Sequence, residues 1–97
     1  MLRILKGEEV EKIVDDFDII DVRTEFEYNM GHIKNAINIP YDEILENLDK
    51  IDKNKPTLIY CRSNRRSEIA YLCLTSAGFS NIYVGDGVSF YDYNLVR

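Results

Sequence analysis

Cys61 stands at the end of the apolar run Thr57-Leu58-Ile59-Tyr60 and is followed by Arg62, Ser63, Asn64, Arg65, Arg66 and Ser67. The run reads as a strand and Ser67 opens a helical pattern, so the thiol falls between a strand end and a helix start. Three arginines lie within the five residues after it. Positive charge and a helix N-terminus both lower a thiol pKa, and the thiolate is the reactive form. The loop from Cys61 to Arg66 can turn several backbone N–H groups inward as an anion cradle with the thiolate at its centre. A nucleophile so placed attacks an electrophilic sulfur or phosphorus and carries the transferred group as a stabilised anion.

The neighbours divide the labour. Arg66, at the loop end, is placed to grip a sulfonate or phosphate oxygen with its fork. Arg62 and Arg65 project outward and steer anionic substrates. Ser63 and Ser67 offer hydroxyl donors, and Asn64 and Arg65 narrow the mouth. The plainer alternatives are a buried structural thiol for Cys61 and a helix cap for Ser67. Four residues separate Cys61 from Arg66. A cysteine-dependent phosphatase loop is one residue longer and wide enough for a tetrahedral phosphate, so this tighter loop suits one terminal sulfur atom, a persulfide.

The elements that must position this loop alternate along the chain. Leu2 to Leu5, Asp18 to Asp21, Ala36 to Ile39, Thr57 to Tyr60 and Asn81 to Val84 read as strands. Between them, Glu8 to Phe17 carries Val10, Ile13, Val14 and Phe17 on one helix face, and Tyr41 to Leu48 carries Tyr41, Ile44, Leu45 and Leu48. Thr24 with Glu27 three residues on forms a capping box for a short helix ended by Gly31. Ser67 to Ala77 is the clearest helix, with Ile69, Leu72, Cys73 and Ser76 as its stripe and Gly78 after it. Alternating strands and helices predict an α/β fold with a mainly parallel sheet and helices on both faces. Ligands in such folds sit at the carboxyl ends of strands, where Cys61 falls.

The bulk properties exclude several classes. The 97 residues make one domain, 1–97, 45% hydrophobic and 30% charged. The formal net charge of -5 argues against nucleic-acid binding, and it makes the positive charge around Cys61 local. Cys73 lies in a helical pattern twelve residues after Cys61, so a disulfide is not expected, and a reducing compartment, the cytoplasm, is. One histidine and two cysteines are too few for a structural zinc site. No apolar run approaches membrane-span length, and Met1 to Lys6 has no signal-peptide h-region. No metal or cofactor is implied.

Three segments together resemble the rhodanese family. Asp21-Val22-Arg23-Thr24 with Glu27-Tyr28, Gly31-His32-Ile33 and Ala36 to Pro40 is similar to its first signature. Tyr60 to Ser67 is similar to its active-site loop, and Ala77-Gly78-Phe79 with Asn81-Ile82-Tyr83 to the segment that follows. The resemblance implies a rhodanese-like, five-stranded parallel sheet between helices. It also implies a sulfurtransferase: Cys61 takes sulfane sulfur from a small anionic donor such as thiosulfate, becomes a persulfide, and passes it to a thiol or cyanide. A protein-to-protein sulfur relay is the alternative, and a cysteine phosphatase or arsenate reductase a further one. The chain departs from the family in two places. Asn64-Arg65 stand where a Gly-Asn pair is usual, and Gly87 is followed by Val88 with no Trp beyond it. Outside the loop, His32 is expected to order a turn, Asp21 and Arg23 to pair across strand ends, and Cys73 to pack.

Overall fold

The computed structural model describes residues 2–97. Five strands, β1 (Ile4–Leu5), β2 (Asp18–Asp21), β3 (Ile37–Asn38), β4 (Thr57–Tyr60) and β5 (Ile82–Gly85), alternate with helices α1 (Gly7–Ile13), α2 (Glu25–Met30) and α3 (Arg65–Ser76). They form one sheet in the order β1-β5-β4-β2-β3, and every pairing is parallel. The expected α/β architecture is therefore the observed one. All four residues of the central strand β4 are buried, as a parallel strand covered on both faces requires.

The pleat sorts the side chains into two cores. Ile20, Val22, Ile59 and Cys61 face α3 and pack with Ile44, Ala70, Leu74 and Phe79. Ile19, Leu58 and Tyr60 face the other way and pack with Val10, Ile33 and Tyr93. The chain leaves β2 toward β3 on one side and later crosses to β4 on the other. The β2–β4 junction is thus the point where strand order reverses, and ligands in open α/β sheets bind outside the carboxyl ends there. Register sets Asp21 beside Tyr60, so Cys61 emerges at that junction. No helix among the described residues is long and apolar enough to cross a membrane.

Several sequence expectations shift. Helix α1 stops at Ile13, not Phe17, because Asp15 and Asp16 would put two negative charges at a helix C-terminus. The segment expected as a helix over Tyr41 to Leu48 is two 3₁₀ turns, Tyr41–Glu46 and Leu48–Lys50. Ile44 is its buried anchor and Leu45 points to solvent, so the inward positions Tyr41 and Ile44 repeat every three residues, the 3₁₀ period. Strands β1 and β3 are shorter than expected, and β5 is displaced by one residue to Gly85.

The largest correction concerns α3. It begins at Arg65 rather than Ser67, and its buried residues are Ser67, Ala70 and Leu74. The stripe of Ile69, Leu72 and Ser76 faces out, and Cys73 is half-buried. The phase is set by Ser67, whose N–H and hydroxyl both lie 3.4 Å from Cys61 Sγ. Pinning Ser67 inward turns residues 70 and 74 inward with it. Leu74→Ala is accordingly expected to cost about 2–5 kcal/mol in urea unfolding, whereas Leu72→Ala, at 62% exposure, should stay within about 0.5 kcal/mol. Equal costs would contradict this helix phase.

Candidate active site

A buried strut supports the site from below. Asp21 is fully buried, and its Oδ1 accepts from the Arg23 backbone N–H at 2.9 Å. Its Oδ2 accepts from Arg23 Nη2 at 2.7 Å and from the Tyr60 hydroxyl at 2.8 Å. Arg23 Nη2 also donates to the Gly31 carbonyl, and the Tyr60 oxygen accepts from the Ile33 N–H. Burial works against the charge on Arg23, but the Asp21 carboxylate prevails and the Arg23 pKa is raised. Burial and the Asp21 carboxylate hold the Tyr60 hydroxyl protonated, so it stays a donor. Asp21 and Arg23 therefore pair with each other, as expected. His32 orders its turn: Nδ1 lies 3.0 Å from the Tyr28 carbonyl oxygen, its ring stacks on Tyr28 at 3.8 Å, and its backbone bridges Val96.

The thiol loop sits on this strut, stapled along one edge to residues 87–89. The Val88 N–H donates to the Cys61 carbonyl at 3.1 Å. The Ser89 N–H and hydroxyl both donate to the Arg62 carbonyl, at 2.9 and 2.7 Å. In a trans peptide the C=O and the next N–H point opposite ways. Turning these two carbonyls toward 87–89 therefore turns the Arg62 and Ser63 N–H groups away from that segment. Among the described residues, the N–H groups of residues 62 to 66 donate to no protein acceptor. Asn64 takes the left-handed conformation, φ 74°, which Asn tolerates better than most residues. Asn can therefore stand at a turn that would otherwise call for Gly.

Cys61 lies at the centre, 1% exposed. The Ser67 N–H, in the first turn of α3, donates to its sulfur, and the thiol donates to Ser67 Oγ, which in turn donates to the Asn64 carbonyl. Arg62, Ser63 and Arg65 are exposed, Asn64 and Arg66 half-buried, and Ser67 buried. Arg66 does not stand free at the loop end. Nη1 and Nη2 donate to Glu27 Oε1 and Oε2 at 2.6 and 3.0 Å, a two-pronged pair joining α3 to α2. Arg62 and Arg65 make no ion pair among the described residues.

Two contributors were not legible as site residues. Glu27 was read as a capping residue, and it does cap: Oε1 accepts from the Thr24 N–H at 3.2 Å. Its second task, pairing Arg66, depends on β2 and β4 being neighbours. Gly87 packs so closely on the Arg62 carbonyl that no Cβ would fit. The only signal for it was a glycine shortly after the last strand.

The geometry can be set beside known proteins. The family described as Rhodanese-like domain matches residues 6–89. The chain belongs to the rhodanese family. That family is of sulfurtransferase type. A rhodanese-related protein of Thermoplasma volcanium is similar with a TM-score of 0.88, at 28% identity, covering 97% of each chain. A structure described as a rhodanese with anions from E. coli is 30% identical with a TM-score of 0.75, covering 82% of this chain and 96% of that one. Among curated relatives, a tRNA uridine(34) hydroxylase of Hamiltonella defensa subsp. Acyrthosiphon pisum is 38% identical over 91 residues. The match takes in 86% of this chain and 26% of the relative, so the chain spans about a quarter of its length.

Two predictions follow from the loop's supports. The Arg66 hydrogen bonds hold the Glu27 carboxyl at about 2, below its usual 4.5. A carboxyl depressed on folding adds stability that is complete above its unfolded value and is lost as pH falls through the folded one. Wild-type stability should therefore decline between about pH 4.5 and 2, and Glu27→Gln should flatten that part of a pH series of urea midpoints. Gly87→Ala should displace the Arg62 peptide and slow alkylation of Cys61 by more than about tenfold, the effect of losing one or two hydrogen bonds, as measured by the rate of mass increase with iodoacetate.

Proposed function

We propose that this chain is a sulfurtransferase that carries sulfane sulfur on Cys61. The thiolate attacks the outer sulfur of thiosulfate, the S–S bond breaks, and sulfite leaves with the bonding pair. Cys61 is left as a persulfide anion. An acceptor thiolate or cyanide then attacks the terminal sulfur, and the Cys61 thiolate leaves. No base is needed at either step, which suits a site whose only histidine is occupied in a turn.

The observation that carries this reading is that the N–H groups of residues 62 to 66 donate to no protein acceptor, in the loop between Cys61 and the Ser67 N–H that donates to its sulfur. They suit a single anionic sulfur atom, and an array fixed before reaction stabilises charge without reorganising. The Arg66–Glu27 pair adds to it. A phosphatase or arsenate reductase would call on that guanidinium to fork onto a tetrahedral oxyanion, whereas here both prongs are engaged. Arg62 and Arg65, exposed on a chain of net charge -5, give the mouth the local positive charge that draws a small anionic donor. A sulfur-relay protein could deliver or receive the sulfur at the same mouth. Two free cysteines suit a reducing compartment such as the cytoplasm. The tRNA chemistry named for the longer relatives is not extended to this chain, whose acidic balance provides no basic footprint for a polymer.

Incubation with thiosulfate should add the mass of one sulfur atom to the wild type and none to Cys61→Ser. Turnover with cyanide or a dithiol marks an enzyme, and a stable persulfide without turnover marks a carrier. A wild type that gains no sulfur from thiosulfate or any other sulfane donor would refute the proposal.

A further inference from the structure

The chain places Asn64 where a glycine would satisfy the backbone, and the side chain is not idle. Asn64 Oδ1 accepts from the Gly87 N–H at 2.7 Å, the shortest of the bonds to segment 87–89 together with that of the Ser89 hydroxyl. The backbone contacts from that segment reach only Cys61 and Arg62. Asn64 adds the one bond beyond them, two residues further along the loop. Its own carbonyl accepts from Ser67 Oγ at 2.9 Å and from the Glu68 N–H at 3.0 Å. One residue therefore joins three bodies: the thiol loop, the chain after β5, and the first turn of α3.

We propose that Asn64 is a positioning residue whose carboxamide, through Gly87, holds the second half of the thiol loop so that its N–H groups converge on the anion carried by Cys61. The inference deepens the sulfur-transfer reading and, for its turnover arm, rests on it. A glycine at 64 would keep the left-handed turn but leave the N–H groups of residues 64 to 66 fixed from the α3 side only. Asn64 thus acts on the reaction through the loop, with its side chain turned toward Gly87.

Asn64→Gly isolates the side chain, because glycine adopts φ 74° without strain. Asn64→Ala removes the bond and strains the turn. Asn35→Gly serves as the control: Asn35 is the other left-handed non-glycine residue, φ 71°, exposed and remote from Cys61 in the chain. Three readouts apply. Hydrogen exchange should show the Gly87 amide losing protection in Asn64→Gly. The ratio of Cys61 alkylation rates with iodoacetate, an anion, and iodoacetamide, neutral, should fall about tenfold, the equivalent of one net hydrogen bond, and further in Asn64→Ala. In sulfur loading from thiosulfate, kcat should fall by a similar factor while KM stays within about twofold. Asn35→Gly should leave all three unchanged. Wild-type values for the alkylation ratio in Asn64→Gly, with Gly87 exposed to exchange, would overturn the proposal. The alkylation ratio needs no sulfur donor, so a wild type that transfers no sulfur refutes the functional reading while leaving this one to stand or fall on the ratio.

Discussion

The buried Asp21–Arg23 pair is the constraint from which the site is built. A buried ion pair is weak support for stability, because taking two charges out of water costs about as much as their attraction returns. What it supplies is geometry. Both Asp21 oxygens and the Arg23 Nε and Nη2 are engaged within 3.1 Å. Tyr60 brings in β4, Gly31 the end of α2, and Ile33 the turn before β3. A shift in any of these leaves a buried donor or acceptor without its partner, a penalty of about 1–3 kcal/mol. The strut thus fixes how far β4 runs before it releases Cys61, and where α2 lies when Glu27 meets Arg66.

Given that anchor, the loop needs little of its own. Peptide planarity does most of the work. The carbonyls of Cys61 and Arg62 are drawn to residues 88 and 89, and the following N–H groups turn the other way. Gly87 is the close-approach point that lets the segment come near enough. The left-handed turn at Asn64 then directs the chain into α3, and the Ser67 N–H meets the sulfur.

The same order explains what could be read in advance. The β4 run, the Thr24–Glu27 box and the place of Cys61 are local patterns, each decided by residues within a few positions, and all three were legible. The face of α3 was not. Ile69, Leu72 and Cys73 form the more apolar stripe, yet the helix buries Ser67, Ala70 and Leu74. The stronger constraint was a chemical contact with Cys61 across the loop, which hydrophobic periodicity does not record. The 3₁₀ turns at Tyr41–Glu46 failed for a related reason: spacing three and spacing four differ only through which of Ile44 and Leu45 finds the sheet. Glu27 and Gly87 each join the site through partners more than twenty residues away, so only the sheet order brings them into view.

The distribution of charge bears on how the proposed sulfur carrier would hold its cargo. Three arginines follow Cys61 closely in sequence, of which Arg66 was expected to grip an anion and Arg62 and Arg65 to project outward. In the fold Arg66 is paired with Glu27, and the other two are exposed. The interior is left to uncharged N–H dipoles and one hydroxyl. A guanidinium in direct contact with a bound anion would stabilise it in every state alike, and uniform binding of an intermediate slows its departure. On the proposed reading, fixed dipoles would stabilise a sulfur anion on Cys61 without a direct ion pair. The proposed transfer thus divides attraction of a donor from stabilisation of the carried sulfur, the exposed Arg62 and Arg65 serving the first and the stapled backbone the second.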